Sequence, residues 1–278
     1  MNGKVKSAIY HAFMGIGAFI MAYPLLWMLA SSFKDNRTIF LEPLSLLPTQ
    51  MDLGNYVTGW AGFGGITFAT FFRNSFIIAG FSTVGAVASA AVVAFGFARV
   101  KFRGRKVWFA IMIATLMLPF QVIMVPQYVL FLRLDWVNTF LPLIVPQFLG
   151  FPFFIFLVMQ FIRGIPKELD ESAYIDGANR YRIFAQVILP NIMPALVTVA
   201  IFSFYWRWNE FLGPLIYLSI PQLYPVSVAL RAFADPDSLV NWAAVFSMGV
   251  LSVLPVLTIF LVFQRYIVEG ISTSGLKG

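Results

Sequence analysis

Six runs nearly free of Asp, Glu, Lys and Arg divide this chain, at residues 8–33, 74–98, 107–132, 137–162, 191–218 and 241–264. At 1.5 Å per residue, each can cross roughly 30 Å of hydrocarbon as a helix. A helix at the surface of a soluble protein keeps polar residues on its outer face, and these runs lack them. In lipid, backbone N–H and C=O groups must bond internally, which predicts helices here. The expected fold class is therefore an all-α membrane protein, one domain over 1–278 with six transmembrane helices. Pro24, Pro119, Pro126, Pro214 and Pro255 fall inside the runs. They predict kinks rather than ends, because neighbouring helices can take up the freed carbonyls. Lys4 and Lys6 precede the first run as they would in a signal peptide. That run is well beyond the roughly 7–15 apolar residues of a signal, so it is read as an uncleaved span.

Composition narrows the chemistry. Hydrophobic residues make up 60% of the chain and charged residues 11%, against roughly 25% charged in a soluble domain. Cysteine is absent and His11 is the one histidine. That leaves no thiolate site, no histidine cluster for zinc and no metal or catalytic assignment. The net charge of +7 sits in loops between apolar runs, which favours a membrane surface over nucleic acid. With an inner N-terminus, thirteen of the 19 Lys and Arg fall on one side. Arg99, Lys101, Arg103, Arg105 and Lys106 form the densest group. Cations concentrate on the cytoplasmic side of membrane proteins, so both termini are expected to be cytoplasmic. In the second run, Ala86, Ala90, Ala94 and Ala98 recur at helical spacing beside Gly85 and Ser89. Small residues on one face let helices approach closely, and packing within one bundle is the expected use.

Residues 166–190 differ from the rest. Pro166 precedes Glu168, Asp170 and Glu171, the composition of a helix N-terminus whose dipole favours anions. Leu169 and Ala173 form a narrow apolar strip, and Gly177 suits a helix end that needs positive φ. A second amphipathic piece follows, with Tyr181, Phe184 and Ile188 on one side and Ile183 and Val187 beside them. Leu189 and Pro190 close it. A plain linker needs only a few residues. A structured segment of this length predicts a docking surface for a cytoplasmic partner.

The stretch Glu171-Ser172-Ala173, Gly177, Val187-Ile188-Leu189-Pro190 resembles the Glu-Ala-Ala loop of permease subunits in binding-protein-dependent ABC importers. In that pattern Glu-Ala-Ala is followed after three residues by Gly, then after nine by Ile, one residue and Leu-Pro. All spacings match. Ser172 stands where Ala is usual, and Val187 where Ile is usual. Trp208-Asn209-Glu210-Phe211 resembles a segment of carbohydrate permeases. The tail Gln264–Gly278 is similar to that of the second maltose-type permease subunit.

The resemblance implies a cytoplasmic coupling helix between the fourth and fifth spans. Glu171, Ser172, Ala173 and Asp176 would meet the ATPase, Gly177 would set the turn, and Leu189 and Pro190 the re-entry into the membrane. It implies an importer in the bacterial or archaeal cytoplasmic membrane with a second homologous permease, two ATPase subunits and an extracytoplasmic solute-binding protein. The cargo would be a carbohydrate. ATP and Mg would bind the partner ATPases, with no cofactor on this chain. The tail at 272–278 would reach between the ATPases. A phosphate-binding loop is approached only at 270–277, where Leu276 precedes Lys277 and no Ser or Thr follows.

Arg207 and Glu210 are full charges within the fifth run, three apart and able to pair on one helix face. Intramembrane charges usually face a bundle interior or a wet cavity. With Trp206 and Asn209 they are the candidate substrate path, beside a purely structural reading. Trp208 is a further candidate stacking surface. A stand-alone secondary transporter of a small polar solute is the rival function. It would use Arg207 and Glu210 but leave residues 166–190 without a role.

Overall fold

The computed structural model describes residues 3–43, 45–46, 51–235 and 240–275. Leu276, Lys277, Gly278 and, in the loop after the fifth run, Pro236 lie outside the described residues. The tail expected to reach between ATPases therefore falls partly outside them. No β-strand is named among the described residues. In chain order the helices are α1 (Gly3–Ser31), α2 (Thr38–Leu41), α3 (Gly54–Ala61), α4 (Phe68–Arg99), α5 (Arg105–Thr115), α6 (Phe120–Arg133), α7 (Leu141–Phe148) and α8 (Pro152–Gly164). They continue as α9 (Glu168–Ile175), α10 (Arg180–Ile183), a π-helical turn (Phe184–Ile188), α11 (Leu189–Asn191), α12 (Met193–Asn209), α13 (Leu212–Tyr217), a 3₁₀ turn (Pro221–Leu223), α14 (Val226–Phe233) and α15 (Trp242–Gly275).

Four stretches are long and apolar enough to cross a membrane: Ile9–Ser31, Phe68–Arg99, Leu141–Gly164 and Trp242–Gln264. Two more qualify only as bent pairs, α5 with α6 at 101° and Arg180–Asn191 with α12 at 73°. Pro24, Pro126 and Pro255 lie inside helices, as expected. Pro119 does not. It is the extended residue before α6, at φ −62° and ψ 142°. It lacks the N–H that would continue the ladder, and its ring disfavours helical backbone at Leu118. The third run is thus two helices rather than one kinked helix. The fourth run is also interrupted, at Gly150 (φ +105°) and Phe151 ahead of Pro152.

The chain forms two compact units. The first comprises residues 1–70 and 229–255. Its turn after α1 is held by Asn55, whose amide donates to the carbonyls of Ser32 (3.1 Å) and Lys34 (3.0 Å). Asn36 Oδ1 accepts from the Trp242 N–H at 2.7 Å, fixing the start of α15. Helix α1 itself is exposed along almost its whole length, showing Phe13, Ile16, Phe19, Ile20 and Met21.

The second unit comprises residues 71–228 and 256–278. Its core is the alanine face of α4. Ala86, Ala90, Ala94 and Ala98 are buried in one cluster with Phe154, Ile155, Val158, Met159 and Ile162 of α8. The face does pack within one bundle. Serines on α4 bond carbonyls of α7: Ser82 Oγ donates to Leu143 O (3.1 Å) and Ser89 Oγ to Gln147 O (2.9 Å). Hydroxyls of this kind let a broken helix stay in a dry environment. Gly85 belongs to the same contact, since a Cβ there would lie 2.5 Å from the Phe148 ring. Gly85→Val is therefore expected to destabilise the chain by about 1–3 kcal/mol through overpacking. Thermal unfolding of the detergent-solubilised protein checks this.

Candidate functional site

The segment after α8 is a helical hairpin, and its turn follows from local sequence. Glu168, Asp170 and Glu171 occupy the first turn of α9, which begins two residues after Pro166. At the other end Gly177 takes φ +80°. Its N–H bonds Tyr174 O (3.0 Å), and the Ala178 N–H reaches back to Ala173 O (2.9 Å). These two bonds are the Schellman pattern, which also brings the flanking apolar residues together. Ala173 and Ala178 both pack against the α4–α8 core. Asn179 then caps α10, its Oδ1 accepting from the Arg182 N–H at 2.9 Å.

The second piece is not a regular amphipathic helix. In the π-helical turn the Leu189 N–H bonds Phe184 O, five residues back. Ile183 and Ile188, also five apart, become the buried pair. Tyr181, expected beside Ile188, points outward instead and is 86% exposed. The chain turns by 73° after Asn191, next to Leu189 and Pro190. Pro194 withholds the N–H that would have bonded Pro190 O, which weakens the ladder there.

A second anchor joins positions far apart in the chain. Arg99, the last residue of α4, places Nε 2.9 Å from Asp170 Oδ2, and both side chains are largely buried. Arg99 Nη2 also donates to Ile165 O, the C-cap of α8, at 2.7 Å. Asp170 Oδ1 is buried and accepts no hydrogen bond among the described residues. Such a pair costs much of its Coulomb energy in desolvation, so its geometry matters more than its net stabilisation. Asp170 and Ala173 thus face inward, whereas Glu171, Ser172 and Asp176 face solvent. Leu169, Tyr174, Ile175 and Tyr181 are large apolar side chains left exposed around them.

Near Arg207 and Glu210 the geometry departs from the expectation. The two do form an ion pair. Helix α12, however, ends at Asn209, and Glu210 is extended at φ −65° and ψ 130°. Pro214 lacks the N–H that would bond Glu210 O, and Ser227 Oγ donates there instead at 2.7 Å. The Glu210 carboxylate lies over Gly213, where a Cβ would fall 2.5 Å from Oε1. The charges therefore pair across a helix break, not on one helix face.

The aromatic neighbours are already engaged. Trp206 stacks on Phe154, with ring centroids 5.2 Å apart, and touches Phe151, Phe153 and Phe202. Trp208 is buried between Phe204, stacked at 5.5 Å, and Phe76, edge-on at 4.8 Å. Trp208 is thus buried away from any solute, whereas Trp206 stays partly exposed with one face on Phe154. The Asn209 amide donates to Tyr205 O at 2.9 Å while the residue remains exposed. At the same end, Asn74 donates to Gln222 O (2.8 Å) and Tyr224 O (3.1 Å), fixing the loop after α13.

The sequence profile of the family described as "Binding-protein-dependent transport system inner membrane component" matches residues 86–273. The chain belongs to that family. The match includes α9, its Gly177 turn and the Leu189-Pro190 step. Among relatives of this permease, the probable ABC transporter permease protein YurM of Bacillus subtilis is 34% identical, covering 96% of this chain and 87% of its own. The arabinooligosaccharides transport system permease protein AraQ of Halalkalibacterium halodurans is 30% identical, covering 94% and 93%. The trehalose/maltose transport system permease protein MalG of Thermococcus litoralis is 31% identical, covering 95% of both. A chain from the crystal structure of a bacterial ABC transporter that imports the acidic polysaccharide alginate superposes with a TM-score of 0.83. That chain is 22% identical, and the match covers 95% of this chain and 96% of that one, which establishes the shared fold.

Proposed function

We propose that this permease forms half of the translocation path of an ATP-driven carbohydrate importer in the cytoplasmic membrane, with both termini cytoplasmic. A second homologous permease completes the path, and an extracytoplasmic solute-binding protein delivers the cargo. Two ATPase subunits, which hold ATP and Mg, dock on α9. The observation that carries this reading is the two-sided character of the 166–190 segment. Its inner side is clamped by Arg99–Asp170 and the Schellman turn, while Ile175 and Tyr181, each 86% exposed, stand clear on its outer side. A segment held rigidly below, with large apolar side chains exposed among its outer carboxylates, suits a lever that a partner grips. The carbohydrate cargo is supported by the names of relatives at 30% and 31% identity. An oligosaccharide is the preferred class.

Tagged purification from native membranes, followed by mass spectrometry, tests the assembly. Recovery of an ATPase and a second permease is expected. Ile175→Asp with Tyr181→Asp is expected to lower ATPase recovery by about tenfold or more, as loss of a hot-spot pair does. Recovery of the wild-type chain alone in mild detergent would favour the secondary transporter. The copurified binding protein can then be screened with sugars for cargo.

A further inference from the structure

We propose that the permease binds one anionic phospholipid at the end of the second unit that carries α9. The phosphate would sit among Lys101, Arg105, Lys106 and Arg163, and an acyl chain would run along the adjoining apolar groove. The site is a pocket of about 650 Å³ whose lining contains these four cations and no carboxylate. None of the four makes an ion pair with a described residue. Arg163 has only the Phe109 ring beneath it, 5.8 Å from its guanidinium carbon to the centroid. Helix α5 adds to the same sign. Its first turn bears Arg105 and Lys106, has no acidic residue, and no side chain caps it after Gly104. A helix N-terminus favours anions, so two cations there are unfavourable until an anion arrives.

A second hollow of about 460 Å³ identifies the occupant as an amphiphile. It shares Phe97 and Phe102 with the cationic pocket. It then continues along apolar side chains, among them Trp108, Ile111 and Met112 of α5. A soluble anion would fill the first hollow and leave the second without a partner. A phospholipid fills both, with its charge at the cationic end and its chain along α5, the first half of the bent apolar pair. Basic pockets beside membrane helices have the chemistry to hold anionic headgroups.

The importer, purified in mild detergent, can be mixed with phosphatidylglycerol or phosphatidylcholine of identical chains and examined by native mass spectrometry. One phosphatidylglycerol is expected to remain bound, with about tenfold preference over phosphatidylcholine. Replacing all four cations with Gln should erase the preference. Arg105→Lys with Arg163→Lys should keep it, which holds the test open if the Gln variant folds poorly. Ile111→Trp should weaken retention without changing charge. Equal retention of the two lipids would overturn the proposal, as would displacement by inorganic phosphate, which marks a soluble-anion site. Loss of ATPase or permease subunits from the Gln variant would also overturn it, by assigning the surface to a protein contact.

Discussion

Replacing Gly177 with Asp is expected to abolish uptake while leaving the permease in the membrane at near-normal amount. The backbone there has φ +80°, and a Cβ would meet nothing within 4 Å. The structural cost is thus left-handed strain alone, about 1–2 kcal/mol for an L-residue and less for Asp or Asn. That is small enough for the chain to fold. The new carboxylate, however, sits beside Asp176 on the outer side of α9, where the ATPase is proposed to grip. Gly177→Asn has nearly the same shape without the charge, and is expected to retain most transport. Uptake assays with quantification of membrane protein compare the two. Normal uptake by the Asp variant would remove α9 as the coupling element.

Asp170→Asn is expected to cost about 3–5 kcal/mol, because it leaves the Arg99 guanidinium buried without its counter-charge. The change should lower the unfolding temperature of the complex and release ATP hydrolysis from transport. Arg99→Met combined with Asp170→Leu removes both charges and should restore most of the stability. If the pair exists to fix the angle of α9 on α4, the double variant should fold well and still transport poorly. Full transport by the stable double variant would reduce the pair to a packing detail. Paired measurements of ATPase rate and uptake in proteoliposomes distinguish these outcomes.

Much of the proposed coupling segment was legible because its chemistry is local. Gly177 is readable as a helix end since only a residue tolerant of positive φ fits there, and the acids of α9 follow the helix dipole. Ala178 and Asn179 follow from the same local chemistry, one as the apolar partner in the Schellman turn and the other as an N-cap. The alanine face of α4 was equally plain, because four-residue spacing places small side chains on one stripe of any helix. Tyr181 defeated this logic, since a π-helical turn shifts the buried face from four-residue to five-residue spacing.

The sequence by itself determined that the chain is helical and membrane-spanning, because unbroken apolar runs leave the backbone no other way to bond in lipid. It determined the position of the Gly177 turn for a similar reason, one residue's own backbone freedom. Only the tertiary structure decided that Arg99 reaches Asp170, that Phe154 stacks on Trp206 and Phe204 on Trp208, and that Ser227 answers Glu210. It also decided where runs break outright rather than bend, at Pro119 and at Glu210. A proline removes one hydrogen bond wherever it stands. Whether the helix survives depends on which neighbour satisfies the freed carbonyl, and that neighbour is set by packing between segments distant in the chain.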